Sequence, residues 1–509
     1  MPAPIALEID GLAVEVADEG ATLLEVLREK LGHHGPKDGC SPQGQCGCCT
    51  VLVDGAPRVA CVTPVRRVAG RRITTIDGLP EEDRAAWADA FLATGGSQCG
   101  FCTPGIICRL AGARPADRGA IASALAAHLC RCTGWQTIVE ACEAFGIPSP
   151  PRDLDAASQR AIIEGGAFQR VGPEVALGRG GFADATAPPG ALVAVPDGAG
   201  GWVVGETLAR ARAAAGKVQG RRTTAAPRHP LEVPVGEWAR TLRTTWVEPA
   251  FLETDASWCE PGGEPAGALG NGGAFGGKST SPAPEAARRL ADEHGRAVRV
   301  VLSREDTVRL GPKRPPLAAG VRADGTGAVV VARTAGVVDV LRAAAPRLDV
   351  TEVDVPGPPT SIALRAAGWA EVTMLLAGLA GQREVCVTGP SGATATATVL
   401  PDVIRVRVRC GEPLDDVVLR SYCIGAAHMA LGWVLSEGLM VDEVGVVHDL
   451  TIRSFGIIRP AQMPRVEVEI EPDDRPPMNG SDAVFAAVAA SAWIGQGCPQ
   501  DIPTGGQIT

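Results

Sequence analysis

The chain has 509 residues, 45% hydrophobic and 21% charged, with a net charge of −10. That is enough apolar material for several buried cores, about three or four domains at roughly 150 residues each, and it excludes a disordered chain. The acidic excess is spread along the sequence, which excludes a basic surface for nucleic acid or an anionic membrane, and no uninterrupted apolar run reaches the ~18 residues of a membrane span.

The opening residues, MPAPIALEIDG, have no basic or apolar leader region, so the expected location is the cytoplasm. In a reducing compartment sixteen cysteines do not make a disulfide framework; clustered ones point to metal and scattered ones to packing. Residues 5–17 alternate apolar and polar around Asp10-Gly11, which predicts a hairpin. Residues 21–32 have helical apolar spacing and end at Gly32, after which a cysteine loop leads to a second strand and turn, VLVDG. Residues 1–80 are therefore read as a β-grasp ferredoxin-like domain. Residues 81–146 change to short helices closed by Gly or opened by Pro, Thr or Asp, a small helical bundle. The Pro-rich stretch IPSPPRDLD opens a linker, 147–165, and 166–509 mixes Val-rich strands with Ala-rich helices. The expected fold class is α+β and multidomain.

Eight cysteines fall in two groups, Cys40-x5-Cys46-x2-Cys49-x11-Cys61 and Cys99-x2-Cys102-x27-Cys130-x-Cys132. The first nearly meets the plant-type [2Fe–2S] spacing C-x4-C-x2-C…C, and Gly39, Gly44 and Gly47 let backbone N–H groups turn toward cluster sulfurs. The x2 spacing selects Cys46 and Cys49 as ligands and leaves Cys48 as packing. Four thiolates also suit zinc, the chemical alternative. In the second group each cysteine pair precedes a helix start, where N–H groups and the positive dipole end favour an anionic thiolate-bound cluster.

The first cysteine loop, QCGFCTPG at 98–105 and LCRCTGW at 129–135 together resemble the iron–sulfur portion of the xanthine dehydrogenase family, the molybdenum hydroxylases. The resemblance implies a β-grasp [2Fe–2S] domain followed by a helical [2Fe–2S] domain over about residues 1–145, with one extra residue between Cys40 and Cys46. It implies that Gln98 lies against the pterin of a molybdopterin-type molybdenum cofactor. NGGAFGGKST, 271–280, resembles the family's cofactor loop at Gly272, Gly273, Phe275, Gly276, Gly277 and Lys278, and Arg365 lies in a segment resembling the one near substrate and pterin.

Departures accompany the likeness. Ser481 stands where the family's catalytic Glu is expected, with Asp482 beside it, and Met429 stands where a cofactor-contacting Gln is expected, with His428 beside it. Serine cannot serve as a base near neutrality, so Asp482 is the candidate base, its alternative role being a helix cap. The region after the iron–sulfur part is about half the family's length, and no FAD domain signature is present. Two readings follow: a compact molybdenum hydroxylase that oxidises an N-heterocycle or aldehyde with water as oxygen source, or an electron-transfer subunit without its own complete molybdenum site. A flavin-bearing or molybdenum subunit and a homodimer are the partners the resemblance implies. A zinc-stabilised module is a third reading.

Overall fold

The computed structural model describes residues 4–217, 223, 225–267, 275–278 and 280–507. The N-terminal unit is a five-stranded sheet of β1 (Pro4–Ile9), β2 (Leu12–Ala17), β3 (Thr50–Val53), β4 (Ala56–Val59) and β5 (Arg72–Thr74), in the order β2-β1-β5-β3-β4. β1 and β2 pair antiparallel around Asp10 and Gly11, both at positive φ (50° and 82°), as a two-residue hairpin of this twist requires. Ile5, Leu7 and Ile9 are buried on one face. The expected helix after β2 is shorter and looser: a single α-turn, Leu23–Glu25, capped by the Thr22 hydroxyl, continues as a π-helical turn, Val26–Lys30. Both turns bury Leu23, Leu24, Val26 and Leu27 against the sheet.

Four helices follow, Glu81–Thr94, Thr103–Ala113, Arg118–Leu125 and Gln136–Glu143, and both members of each cysteine pair in the second group lie in the turns before the second and fourth. The segment expected as a linker is not a free tether. Its second half forms the helix Leu154–Gly165, capped by the Asp153 carboxylate, with Ala157, Arg160, Ala161 and Glu164 buried.

Beyond it the described residues form three further sheets of four, five and four strands. The last, Val385–Thr388, Thr394–Val399, Val403–Arg409 and Arg465–Ile470, packs one face on the helix Ser481–Gly495. That helix in turn packs against Asp416–Leu435 and Trp369–Ala380. Asp416–Leu435 is long and apolar enough on average to cross a membrane, although Asp416, Arg420 and His428 interrupt its apolar run. However, 89% of its apolar window is buried inside the protein, so it is a core helix, wedged between the iron–sulfur unit and the C-terminal sheet.

Candidate functional site

Cys40, Cys46 and Cys49 lie in the loop between the first helical turns and β3, and Cys61 follows β4 in the short 3-10 turn Ala60–Val62. All four are at most 3% exposed. Their thiols meet: Cys40 contacts Cys46 and Cys61, and Cys49 contacts Cys61. Gln43 donates its backbone N–H to the Cys40 sulfur at 3.1 Å, and Cys61 donates its own to the Cys49 sulfur at 3.4 Å. Hydrogen bonds from neighbouring thiols and main-chain amides pull the Cys40 thiol far below its ordinary range. The same contacts push the Cys46 and Cys61 thiols well above their ordinary range, so it is the convergence of four thiols and main-chain amides that suits a thiolate-bound cluster. Cys48 is fully buried, touches the Cys46 thiol, and is pushed up by burial.

The second set is equally convergent. Cys132 and Cys99 sulfurs are 3.5 Å apart, and Cys130 contacts Cys102 and Cys132 and lies 3.2 Å from the Thr133 hydroxyl. These contacts pull Cys130 down as Cys40 is pulled down. Among the described residues no group of three or more His, Cys, Asp or Glu is gathered as a single-ion site. It is the cysteine spacing and the main-chain amides aimed at the sulfurs that favour the two-iron cluster over a lone tetrahedral zinc.

The residues expected around a pterin are arranged differently. Gln98 is buried, and its amide donates to the Cys132 carbonyl at 3.1 Å and the Ser421 hydroxyl at 2.9 Å, turning to the helix Asp416–Leu435. Gly272 and Gly273 lie outside the described residues. Phe275, Gly276, Gly277 and Lys278 are described, and Gly276 sits at φ +85° where a Cβ would come 1.6 Å from the Ala363 carbonyl oxygen. Its glycine is demanded by this close backbone crossing. Lys278, read as cofactor-binding, pairs instead with Glu253 at 2.8 Å, and burial pushes the Glu253 carboxyl up to about 7 against the pull of that lysine.

Arg365 and Asp482 are brought together, but as partners. The Arg365 guanidinium reaches the Asp482 carboxylate at 3.1 Å, the Ser481 hydroxyl at 2.9 Å and the Met429 sulfur at 3.7 Å, and stacks 4.0 Å from the Phe275 ring centre. Burial raises the Asp482 carboxyl and Arg365 opposes it. Asp482 does not cap its helix either. The N-terminal amides of Gly480 and Ser481 donate to the Glu164 carboxylate, at 3.1 and 2.8 Å, and Asn479 takes the Asp482 amide. Glu164, which belongs to the segment read as a linker, was not singled out in the sequence, and only its spacing from Arg160 on one helical face could have signalled it. His428 is a buried core histidine, its Nε2 2.9 Å from the Ile458 carbonyl and its Nδ1 without a hydrogen-bond partner among the described residues.

Beside them Arg314 makes a bidentate pair with Glu371, at 2.6 and 2.9 Å, and lies beside the mutually stacked Trp433 and Phe485 rings, 4.2 and 5.1 Å from their centres. The cavity lined by Phe275, Arg314, Arg365, Met429, Trp433 and Phe485 holds about 30 Å³, and the one between Cys99, Cys132, Glu253 and Lys278 about 10 Å³. A drug-sized or larger group needs roughly 300–1,000 Å³. These two cavities therefore do not fit a molybdopterin-type cofactor: each is too small for it, and Arg365 and Lys278, which line them, are paired with Asp482 and Glu253. The two thiol sets do fit iron–sulfur clusters.

A 2Fe-2S iron-sulfur cluster binding domain matches residues 7–66, and a [2Fe-2S] binding domain matches residues 75–143. A probable xanthine dehydrogenase subunit of Bacillus subtilis (strain 168) is 40% identical over 139 residues, 26% of this chain and 79% of that one. The nicotine 6-hydroxylase small subunit of Paenarthrobacter nicotinovorans is 39% identical over 142 residues, 27% of this chain and 86% of that one. The aldehyde oxidoreductase of Megalodesulfovibrio gigas is 44% identical over 132 residues, covering 24% of this chain but 14% of that protein. In three dimensions the whole chain resembles the aldehyde oxidoreductase from Desulfovibrio gigas, with a TM-score of 0.69 at 14% identity over 96% of this chain and 97% of that one. The α+β multidomain fold is thus shared beyond the region of sequence likeness. With two [2Fe–2S] domains and relatives that match along most of their own length, the chain belongs to the xanthine dehydrogenase, or molybdenum hydroxylase, family.

Proposed function

We propose that this chain is an electron-transfer component of a molybdenum hydroxylase-type system, and that the region after residue 166 is a scaffold retaining the family fold without a complete molybdenum site. The observation that carries the reading is the pairing of two buried, convergent thiol sets whose loops are joined directly, the Leu129 amide donating to the Cys46 carbonyl at 2.9 Å. When bound, each [2Fe–2S] cluster supplies one-electron uptake and release. The cysteines hold the clusters, the main-chain amides around Cys40 and Cys49 offset their negative charge, and burial keeps water from the thiolates. A flavin-bearing or molybdenum-bearing partner completes the reaction, in keeping with relatives that are themselves named as single subunits of larger enzymes.

A second reading, a hydroxylase acting on an N-heterocycle or aldehyde, is favoured by one observation: the Asp482 side chain is 34% exposed and so keeps access to a small molecule. A reductive titration separates the main reading from a zinc module. Two electrons taken up per chain with two distinct [2Fe–2S] spectra support it; a colourless zinc protein contradicts it.

A further inference from the structure

The loop from Cys46 to Cys48 is gripped on each of its carbonyls. The Cys46 carbonyl accepts from the Leu129 amide at 2.9 Å, the Gly47 carbonyl from the Thr50 hydroxyl at 2.7 Å and the Cys48 carbonyl from the Lys37 amide at 3.1 Å. From Leu129 the chain runs straight into Cys130, a ligand position of the second set. A single hydrogen bond and one residue of main chain therefore separate a cysteine of one set from a cysteine of the other. Two features hold this junction. His128, fully buried, places its Nε2 3.2 Å from the Thr50 hydroxyl, and its ring lies flat on Gly47, where a Cβ would come 2.5 Å from Cδ2. On the other side Gly105 presses on the same loop, its hypothetical Cβ 2.6 Å from the Gly47 carbonyl oxygen and 2.7 Å from that of Cys48. Neither contact survives a larger side chain at either glycine without the loops moving apart.

We infer that His128 and Thr50 are positioning residues for communication between the two clusters, holding the Cys46 carbonyl on the Leu129 amide so that the path between the thiol sets is bonded throughout. The inference rests on the electron-transfer reading above. One electron leaves the reduced iron of one cluster and reduces the ferric iron of the other, with no proton or other reactant. Bonded contacts carry such coupling better than a gap across packed side chains, so the junction's geometry sets how strongly the clusters sense each other, while their own ligands set each cluster's potential.

The test uses the full chain with both clusters, comparing wild type with His128→Ala, His128→Asn and Thr50→Val. Three quantities are read: iron per chain, the potential of each cluster, and both the magnetic splitting between the doubly reduced clusters and the rate of electron exchange after a pulse of reductant. The expected result for His128→Ala is unchanged iron and potentials with a several-fold slower exchange and a weakened splitting, partly restored in His128→Asn, which keeps a hydrogen-bonding partner for Thr50. Thr50→Val, which removes only the hydroxyl, shows the same change in smaller degree and decides the matter if His128→Ala loses iron. Exchange and splitting like wild type in Thr50→Val, or in an iron-complete His128→Ala, overturn the inference. A wild-type chain that lacks two [2Fe–2S] signals overturns the underlying electron-transfer reading instead.

Discussion

The iron–sulfur unit and the region that follows it use buried polar groups in opposite ways. In the first, main-chain amides and thiols converge on shared spaces, and the groups are left facing inward toward something they can bind. In the second, charged side chains of similar burial face one another: Lys278 with Glu253, Lys313 with Glu248, Arg314 with Glu371. A buried ion pair is costly to create and weak evidence for stability, but it is an effective plug, because removing either member strands a charge. The same fold can thus keep a family's outline while the buried charges of its second region pair with one another.

Five substitutions break or sharpen that contrast. The largest effect belongs to the first region: Cys99→Ser should lose one cluster and about half the iron while the other spectrum persists, whereas Cys48→Ala should keep all its iron, both read by metal analysis and spectroscopy. In the second region Glu164→Ala strips the carboxylate from the N-terminus of Ser481–Gly495 and strands Arg160, whose side chain is 0% exposed. The expected cost is about 3–5 kcal/mol by denaturant unfolding, with both cluster spectra unchanged.

Between the regions stands Lys37, buried on the carbonyls of His34 and Gly178, its ammonium pushed down to about 7 by burial first and by Arg28 second. The unfolded chain holds that proton up to the ordinary lysine range and the folded chain does not, so stability from this group rises with pH above about 7. From pH 7 to 9 the gain is about 2 kcal/mol, and Lys37→Met, which has no proton to lose, should not show it when unfolding midpoints are compared at the two pH values. The smallest effect is expected at Asp482→Asn. Its pair with Arg365 is partly exposed, and the stability lost should stay below about 1 kcal/mol.

The first region was legible in sequence because its chemistry is local. Cysteine spacing, the glycines between them and the Asp10-Gly11 and Asp54-Gly55 turns are set within short stretches, and both aspartates and both glycines adopt the positive φ these turns need. The second region was legible as a family outline and not as a site. Arg365 and Asp482 were found by motif, yet their pairing is a contact across 117 positions that no motif carries. Glu371 gave no local signal, since it is an unremarkable residue in its own stretch. Glu164 was hidden for a different reason: Pro-rich composition marks where a linker starts, and the helix that follows takes its role from the helix end it caps.

The most direct measurement is elemental analysis of iron, molybdenum and zinc, with released pterin, on protein purified from its native host. Four irons per chain with neither molybdenum nor pterin is the result this account predicts. One molybdenum and one pterin per chain would contradict it, and would mean that the Arg365–Asp482 and Lys278–Glu253 pairs open to admit the cofactor.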